Sequence, residues 1–177
     1  MLFRDSPIGA RYIQDVLLRP LSAQRFGTDW EYLMNASTGQ DKEDMQERIG
    51  DLLGSLISKI VLASCIYTYA RDKAKPKKNK ELDKAYRLLR QNLELSSQSI
   101  LEICVAKKLQ LESIASRADL ALSYVLNSRD SDVILYDESN LSSEYRSFRY
   151  KVMEEVPPSY LSKMFSAEIA RYLGVHL

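Results

Sequence analysis

The residues of this sequence best suited to bind a ligand are a run of basic side chains between positions 71 and 90. Only Asp72, Glu81 and Asp83 oppose their charge within that run. A positive run of this density can contact phosphate groups without reading a base sequence, and it can also contact an acidic protein. A solvated linker between two helices has the same composition, so three interpretations stay open. The basic residues are Arg71, Lys73, Lys75, Lys77, Lys78, Lys80, Lys84, Arg87 and Arg90.

The second feature that can do chemistry is His176, the only histidine, which follows Arg171 after four intervening residues. A single histidine excludes any catalytic scheme that needs two. The sequence Arg-Tyr-Leu-Gly-Val-His resembles the motif of HEPN-type ribonucleases, which are all-α bundles that use such a pair on RNA. The resemblance implies that Arg171 stabilises phosphate charge and that His176 acts as an acid or base. The alternative is a terminal histidine near solvent.

Other catalytic and metal-binding motifs are absent from the sequence. It contains no glycine-rich phosphate loop, no nucleophile elbow and no paired metal-ligand motif. The acidic stretch from Asp130 to Glu138 lacks the glycine and the correctly spaced glutamate of a calcium loop. Glu154 and Glu155 are adjacent, so a helix points them apart. We therefore expect no metal, no cofactor and a protein that is not an enzyme.

A short helix near the C-terminus is rich in residues that protein interfaces favour. Tyr145, Phe148 and Val152 share one helical face and are suited to the core. The other faces of the same helix then turn arginine and tyrosine side chains outward, and these residue types are enriched at binding hot spots. The predicted interface residues are Arg146, Arg149 and Tyr150.

The composition is that of an ordinary globular chain. Its 177 residues carry a net charge of +1, with 45% hydrophobic and 28% charged residues, which is typical of one folded domain. Cys65 and Cys104 fall in apolar helical patterns, which predicts buried, reduced thiols and a cytoplasmic protein. The N-terminus lacks a signal-peptide core. Asp51 and Lys59 interrupt the most apolar segment, 49–70, so we expect a core helix and no membrane contact.

Glycine and proline are both absent from Lys77 to Val156, and such a stretch predicts long helices. Apolar spacings of three and four predict helices over 41–72 and 79–127, with a bend or break at the serines between 96 and 99. Shorter helices are predicted over 142–155 and 159–173, and residues 1–40 are the least regular. Asn79 is expected to cap the second long helix after Pro76. Gly50 and Gly54 are expected to let another backbone approach the first.

The sequence therefore predicts an all-α fold: one bundle of about five helices, dominated by two long antiparallel helices. The first functional prediction is a non-catalytic subunit or adaptor that binds other proteins or copies of itself. In size and class the chain is similar to the small helical subunits of CRISPR effector complexes, which line a nucleic-acid strand through backbone charge. This similarity implies an alternative, the binding of RNA or DNA through the 71–90 region. The ribonuclease resemblance implies a third function.

Overall fold

The computed structural model describes residues 8–18, 42–69, 76–127 and 142–175, and these residues form helices and no strand. The all-α class predicted from the sequence is confirmed. In chain order the described helices are α1 (Ile8–Tyr12), which continues as a π-helical segment at Ile13–Leu18, then α2 (Lys42–Tyr69), α3 (Pro76–Ala106), α4 (Leu111–Asn127), α5 (Ser143–Glu155) and α6 (Pro158–Leu173).

The central helix of the bundle is α2. Every residue from Leu52 to Ile66 is buried, including Lys59, so other parts of the chain surround this helix on all sides. By length and apolarity α2 passes the test for a membrane-spanning helix, but 94% of its most apolar segment is buried inside the protein. Such burial is typical of a core helix.

Helix α3 runs antiparallel to α2. Ser64, near the end of α2, lies 2.9 Å from the hydroxyl of Tyr86, which belongs to the first third of α3. At the opposite end of α2, the backbone N–H of Gln110, just before α4, donates to Gln46 Oε1 at 2.9 Å. Helix α4 therefore begins beside the start of α2 and runs parallel to it.

Gly50 permits the close packing of α4 against α2. A Cβ atom at this position would lie only 2.5 Å from the Cβ atom of Arg117 and 3.3 Å from the carbonyl oxygen of Ile114. Real Cβ atoms almost never come so close to a neighbour, so α4 could not approach α2 this closely over a larger residue. The close approach expected from the sequence is confirmed at Gly50.

The helix predicted over 79–127 is in fact two helices, and the serines do not mark the break. The hydroxyls of Ser96 and Ser99 donate to the carbonyl oxygens of Asn92 and Leu95, one turn earlier, at 3.1 and 3.2 Å. These bonds lie inside α3, which continues to Ala106, so a break at the serines is wrong. Serine hydroxyls that find a partner within the helix do not end it.

The break lies instead between Ala106 and Leu111. Lys108 adopts the left-handed conformation, with a φ of 54°. The N–H of Leu109 donates to the carbonyl of Cys104 at 3.0 Å, and the N–H of Lys108 donates to that of Val105 at 3.2 Å. These two bonds are those of a Schellman motif, which closes a helix. The usual glycine is replaced by lysine, and the sequence therefore gives no signal for this helix end.

The remaining helix ends lie close to their predicted bounds. Helix α3 begins at Pro76 rather than Asn79, because proline fits the first position of a helix, where its missing N–H costs nothing. Ser142 Oγ accepts from the N–H of Tyr145 at 3.3 Å and caps α5. Gly174, with a φ of 68°, ends α6. The acidic stretch 130–138 and most of the N-terminal 40 residues lie outside the described residues.

Candidate binding surface

One side of α3 brings together three of the predicted basic residues. Lys80, Lys84 and Arg87 are all exposed, and their spacings of four and three place them along one side of the helix. Helical spacing puts Lys77 on the same side, although for Lys77 and Lys78 only the position in α3 is described. The remaining basic candidates of the 71–75 segment, Arg71, Lys73 and Lys75, lie outside the described residues.

Two exposed leucines lie on the same side of α3. Leu88 is 47% exposed and Leu95 is 65% exposed, and seven residues, or two helical turns, separate them. Gln91 lies between the two leucines, and Glu102 lies two helical turns after Leu95. Gln91 and Glu102 are both exposed. We call this surface the outer face of α3, and its residues are Lys80, Lys84, Arg87, Leu88, Gln91, Leu95 and Glu102.

The first half of the outer face borders an open depression of about 600 Å³. Positive, apolar and amide groups converge there, with one carboxylate, that of Asp83, at the border. A surface with this mixture offers both a charged and an apolar contact to a partner. The lining residues are Lys80, Asp83, Lys84, Arg87, Leu88 and Gln91.

Arg90 does not belong to this surface, contrary to the sequence-based expectation. Its side chain is only 20% exposed, and its Nη2 lies 2.9 Å from Oε1 of Glu168, a residue of α6 that is almost fully buried. Burial opposes the charge of the guanidinium, but the hydrogen bond and the charge of Glu168 outweigh this effect and raise the pKa of Arg90. Arg90 thus joins α3 to α6 and is not free to contact a phosphate.

Arg171, the first member of the ribonuclease-like pair, also lies in an ion pair. Its Nη2 contacts Oε1 of Glu94, and the same oxygen lies 3.9 Å from Nε of Arg90. Glu94 therefore links two arginines of the α3–α6 interface. His176 lies outside the described residues, so the structure places only one of the two proposed catalytic groups, and it places that one beside a carboxylate.

The predicted interface on α5 is only partly exposed. Arg146 is exposed and Tyr150 is 41% exposed, but Arg149 is buried, with 9% of its surface accessible. The prediction that Arg149 points outward was wrong. Phe148 and Val152 are both buried, as their helical face predicts, and Arg149 lies next to Phe148 at the edge of that face. A long side chain at such an edge can be covered by neighbouring elements.

The tyrosines near the start of α3 are engaged inside the protein. The rings of Tyr67 and Tyr86 stack with their centroids 5.0 Å apart. The hydroxyl of Tyr86 also shares a hydrogen bond with Ser64. Tyr69 packs edge-on against Tyr160 at 5.5 Å. Tyr86 is therefore a packing residue and does not offer a free ring on which a base could stack.

A second depression, of about 460 Å³, lies where α2 and α4 begin. Its charges are mixed, since the three cations Lys42, Lys108 and Arg117 face the carboxylates of Glu43 and Glu47. Arg117 is already held from the side, because its Nε and Nη2 contact both carboxylate oxygens of Asp51 at 2.7 and 3.2 Å. This depression therefore offers a weaker attraction to a charged partner than the outer face of α3.

The two cysteines of the described residues are buried free thiols. Burial raises the pKa of Cys65 to about 12 and that of Cys104 to about 11, so both thiols stay protonated at neutral pH. Within the ranges that the structure describes, no three histidine, cysteine, aspartate or glutamate side chains form a group that could hold a metal ion.

No protein-family model, no curated protein and no solved structure matches this chain. Sequence reasoning found Lys80, Lys84 and Arg87 but missed Leu88, Leu95 and Glu102. The sequence did contain a sign that the two leucines are exposed. They lie outside the helical face formed by Leu82, Leu89 and Leu93, and they are seven residues apart.

Proposed function

We propose that this chain is a non-catalytic helical subunit that binds another protein through the outer face of α3. The observation that supports this function is the exposure of Leu88 and Leu95 on one side of the helix, next to the cations Lys80 and Lys84. Apolar side chains that recur on one exposed face are a feature of interaction surfaces.

The physical advantage of binding comes from the two leucines. Each removes apolar surface from water when a partner covers it, at about 25 cal/mol per Å². Neither belongs to the buried core of the protein, so their contribution is available to a partner rather than used in folding. The surrounding charges select the partner and its orientation more than they add affinity.

The roles of the reactive side chains also favour a non-catalytic subunit. The two thiols are buried, and Arg90 and Arg171 lie in ion pairs between α3 and α6. In the described structure these two arginines link α3 to α6. The proposal therefore assigns binding, and no chemical step, to this part of the chain.

The test compares the native assembly state of the chain with that of two variants. Leu88→Lys with Leu95→Lys places charges on the outer face of α3, whereas Leu120→Lys changes a leucine of similar exposure, 62%, on α4. In extracts from native cells that are crosslinked with formaldehyde before lysis and then fractionated by size, the wild type and the Leu120→Lys control should migrate in a complex, and the α3 variant should migrate as the free chain. The same migration for all three would contradict the proposal.

A second candidate function is contact with the backbone of RNA or DNA. The observation that favours it is the row of exposed cations Lys80, Lys84 and Arg87, which could each approach a phosphate. Its test is the salt dependence of binding to a single-stranded oligonucleotide. Lys84→Gln with Arg87→Gln should flatten the slope, and Lys151→Gln with Lys163→Gln, two exposed lysines elsewhere, should not. No measurable binding at low salt removes this candidate.

A further inference from the structure

We propose that the partner of the outer face is a second copy of this chain, which packs its own α3 antiparallel against the first. The inference rests on the proposed function, since it names the partner of the same surface. The geometry that points to it is the arrangement of charge along the helix. Cations occupy the first half of the outer face and Glu102 lies near its end, with the two leucines between them.

The leucines fit a twofold arrangement. They lie seven residues apart, which is about 10 Å along the helix. If two copies of α3 cross antiparallel with the twofold axis near Gln91 and Asn92, Leu88 of each copy lies against Leu95 of the other. Both leucine pairs then lie close to the axis, where a symmetric interface repeats every contact twice.

The charges favour the antiparallel direction over the parallel one. Lys84 and Glu102 are both exposed, and neither makes an ion pair within the described part of the chain. In the antiparallel arrangement Lys84 of one copy comes within about one helical turn of Glu102 of the other, on both sides of the axis. A parallel pair would instead set Lys84 against Lys84 and Glu102 against Glu102, which is repulsive.

The contact is small, so the dimer should be weak and dependent on concentration. Much of the face is polar, with Gln91 and Asn92 exposed at the axis, and exposed ion pairs contribute little at high salt. An interface of one helix against one helix is below the standard size of a stable complex. We therefore expect dissociation near micromolar to millimolar concentrations, and a tighter dimer at low salt.

The test exchanges the charges and follows the mass of the purified full chain by sedimentation velocity at low salt, over a wide concentration range. Lys84→Glu alone and Glu102→Lys alone should each weaken the dimer at least tenfold, because each creates two like-charge contacts. An equimolar mixture of the two variants should recover dimer, since every cross-copy contact is then between opposite charges. The double variant with both exchanges should also recover it.

The outcomes separate this inference from the proposed function. A chain that stays monomeric at all concentrations, or a dimer that the exchanges do not affect, overturns the self-pairing. Failure of the mixture to recover dimer also overturns it, because the register would be wrong. If the chain is monomeric when pure but its native complex still depends on Leu88 and Leu95, the partner is a different protein and the proposed function survives. Circular dichroism of each variant confirms that these exposed exchanges leave the fold intact.

Discussion

The two longest described helices, α2 with 28 residues and α3 with 31, have opposite surroundings. Helix α2 is buried on all sides from Leu52 to Ile66, whereas α3 buries one side and leaves the outer face in water. In the sequence both helices are indicated by the same features, a long segment and apolar residues at helical spacing. The comparison teaches that α2 holds the bundle together, while α3 both packs against the bundle and presents a surface to something outside it.

The basic residues on the two sides of α3 also differ in their burial and in their partners. On the inner side, Arg90 lies 2.9 Å from Glu168, which is 4% exposed. On the outer side, Arg87 and Lys84 are exposed. Arg87 and Arg90 are thus only three residues apart, but Arg90 has a structural role and Arg87 is available to a partner.

The largest effect should come from the core of α2. Ile57 is fully buried, so Ile57→Ala removes well-packed atoms and leaves a cavity. We expect the free energy of unfolding to fall by about 2–5 kcal/mol, measured by urea denaturation. Val105→Ala on α3, where the side chain is 67% exposed, should change it by less than about 0.5 kcal/mol. Equal losses for the two variants would contradict the difference between the helices.

The inner side of α3 should give the next largest effect. Arg90→Met leaves the carboxylate of Glu168 buried without its ion-pair partner, and the loss of stability should be on the order of 3 kcal/mol. Adding Glu168→Leu should recover much of that loss, because the uncompensated charge is then gone. The matched control is Arg87→Met, on the outer side, which should change the free energy of unfolding by less than about 0.5 kcal/mol. A similar loss from Arg87→Met would show that both arginines are structural.

A pH-dependent effect should follow from Tyr172, which packs beside Arg90 and Glu168. Burial, and after it the negative charge of Glu168, raises the pKa of Tyr172 to about 12 from its usual 10. The folded protein thus favours the neutral phenol, and this stabilisation is complete below pH 10 and is lost as the pH rises from 10 to 12. Between pH 9 and pH 11.5 the wild type should lose on the order of 2 kcal/mol more stability than Tyr172→Phe.

Urea denaturation at the two pH values measures this difference. Tyr150→Phe, at a tyrosine that is 41% exposed, serves as the control and should follow the wild type. If Tyr172→Phe loses as much stability as the wild type over this range, the phenol is not buried as the structure places it.

The smallest effect on stability should come from the outer face. Leu88→Lys with Leu95→Lys adds charges where the side chains already contact water, so the free energy of unfolding should change by less than about 0.5 kcal/mol. Binding should nevertheless be lost, since the variant would force lysines into the contact. A variant that unfolds more readily by several kcal/mol would show instead that these leucines stabilise the bundle.

The fold class and most helix bounds could be predicted from the sequence because they depend on local signals. The absence of glycine and proline between residues 77 and 156 favours helix, and Ser142 and Gly174 are ordinary cap residues. The end of α3 could not be predicted, because Lys108 adopts a left-handed conformation at a position that glycine usually occupies. A break at the serines was predicted wrongly, because the hydroxyls of Ser96 and Ser99 donate to carbonyl oxygens within the helix and do not end it.

The candidate surface was only half predictable. Charge density identified Lys80, Lys84 and Arg87, but it could not distinguish them from Arg90, whose partner Glu168 is 78 residues away in the sequence. Arg149 was misassigned because helical spacing shows which residues share a side but not what covers the edge of that side. The position of Arg171 beside Glu94 depends in the same way on a contact between distant segments.

The most direct test of the central claim, that the outer face of α3 is the protein-binding surface, is site-specific photo-crosslinking. A photoreactive amino acid at position 95 is compared with the same group at position 120, where the leucine is similarly exposed on α4. In native cells we predict a discrete covalent adduct with a protein from position 95 and none from position 120. The absence of an adduct at position 95, or equal adducts at both positions, would contradict the account.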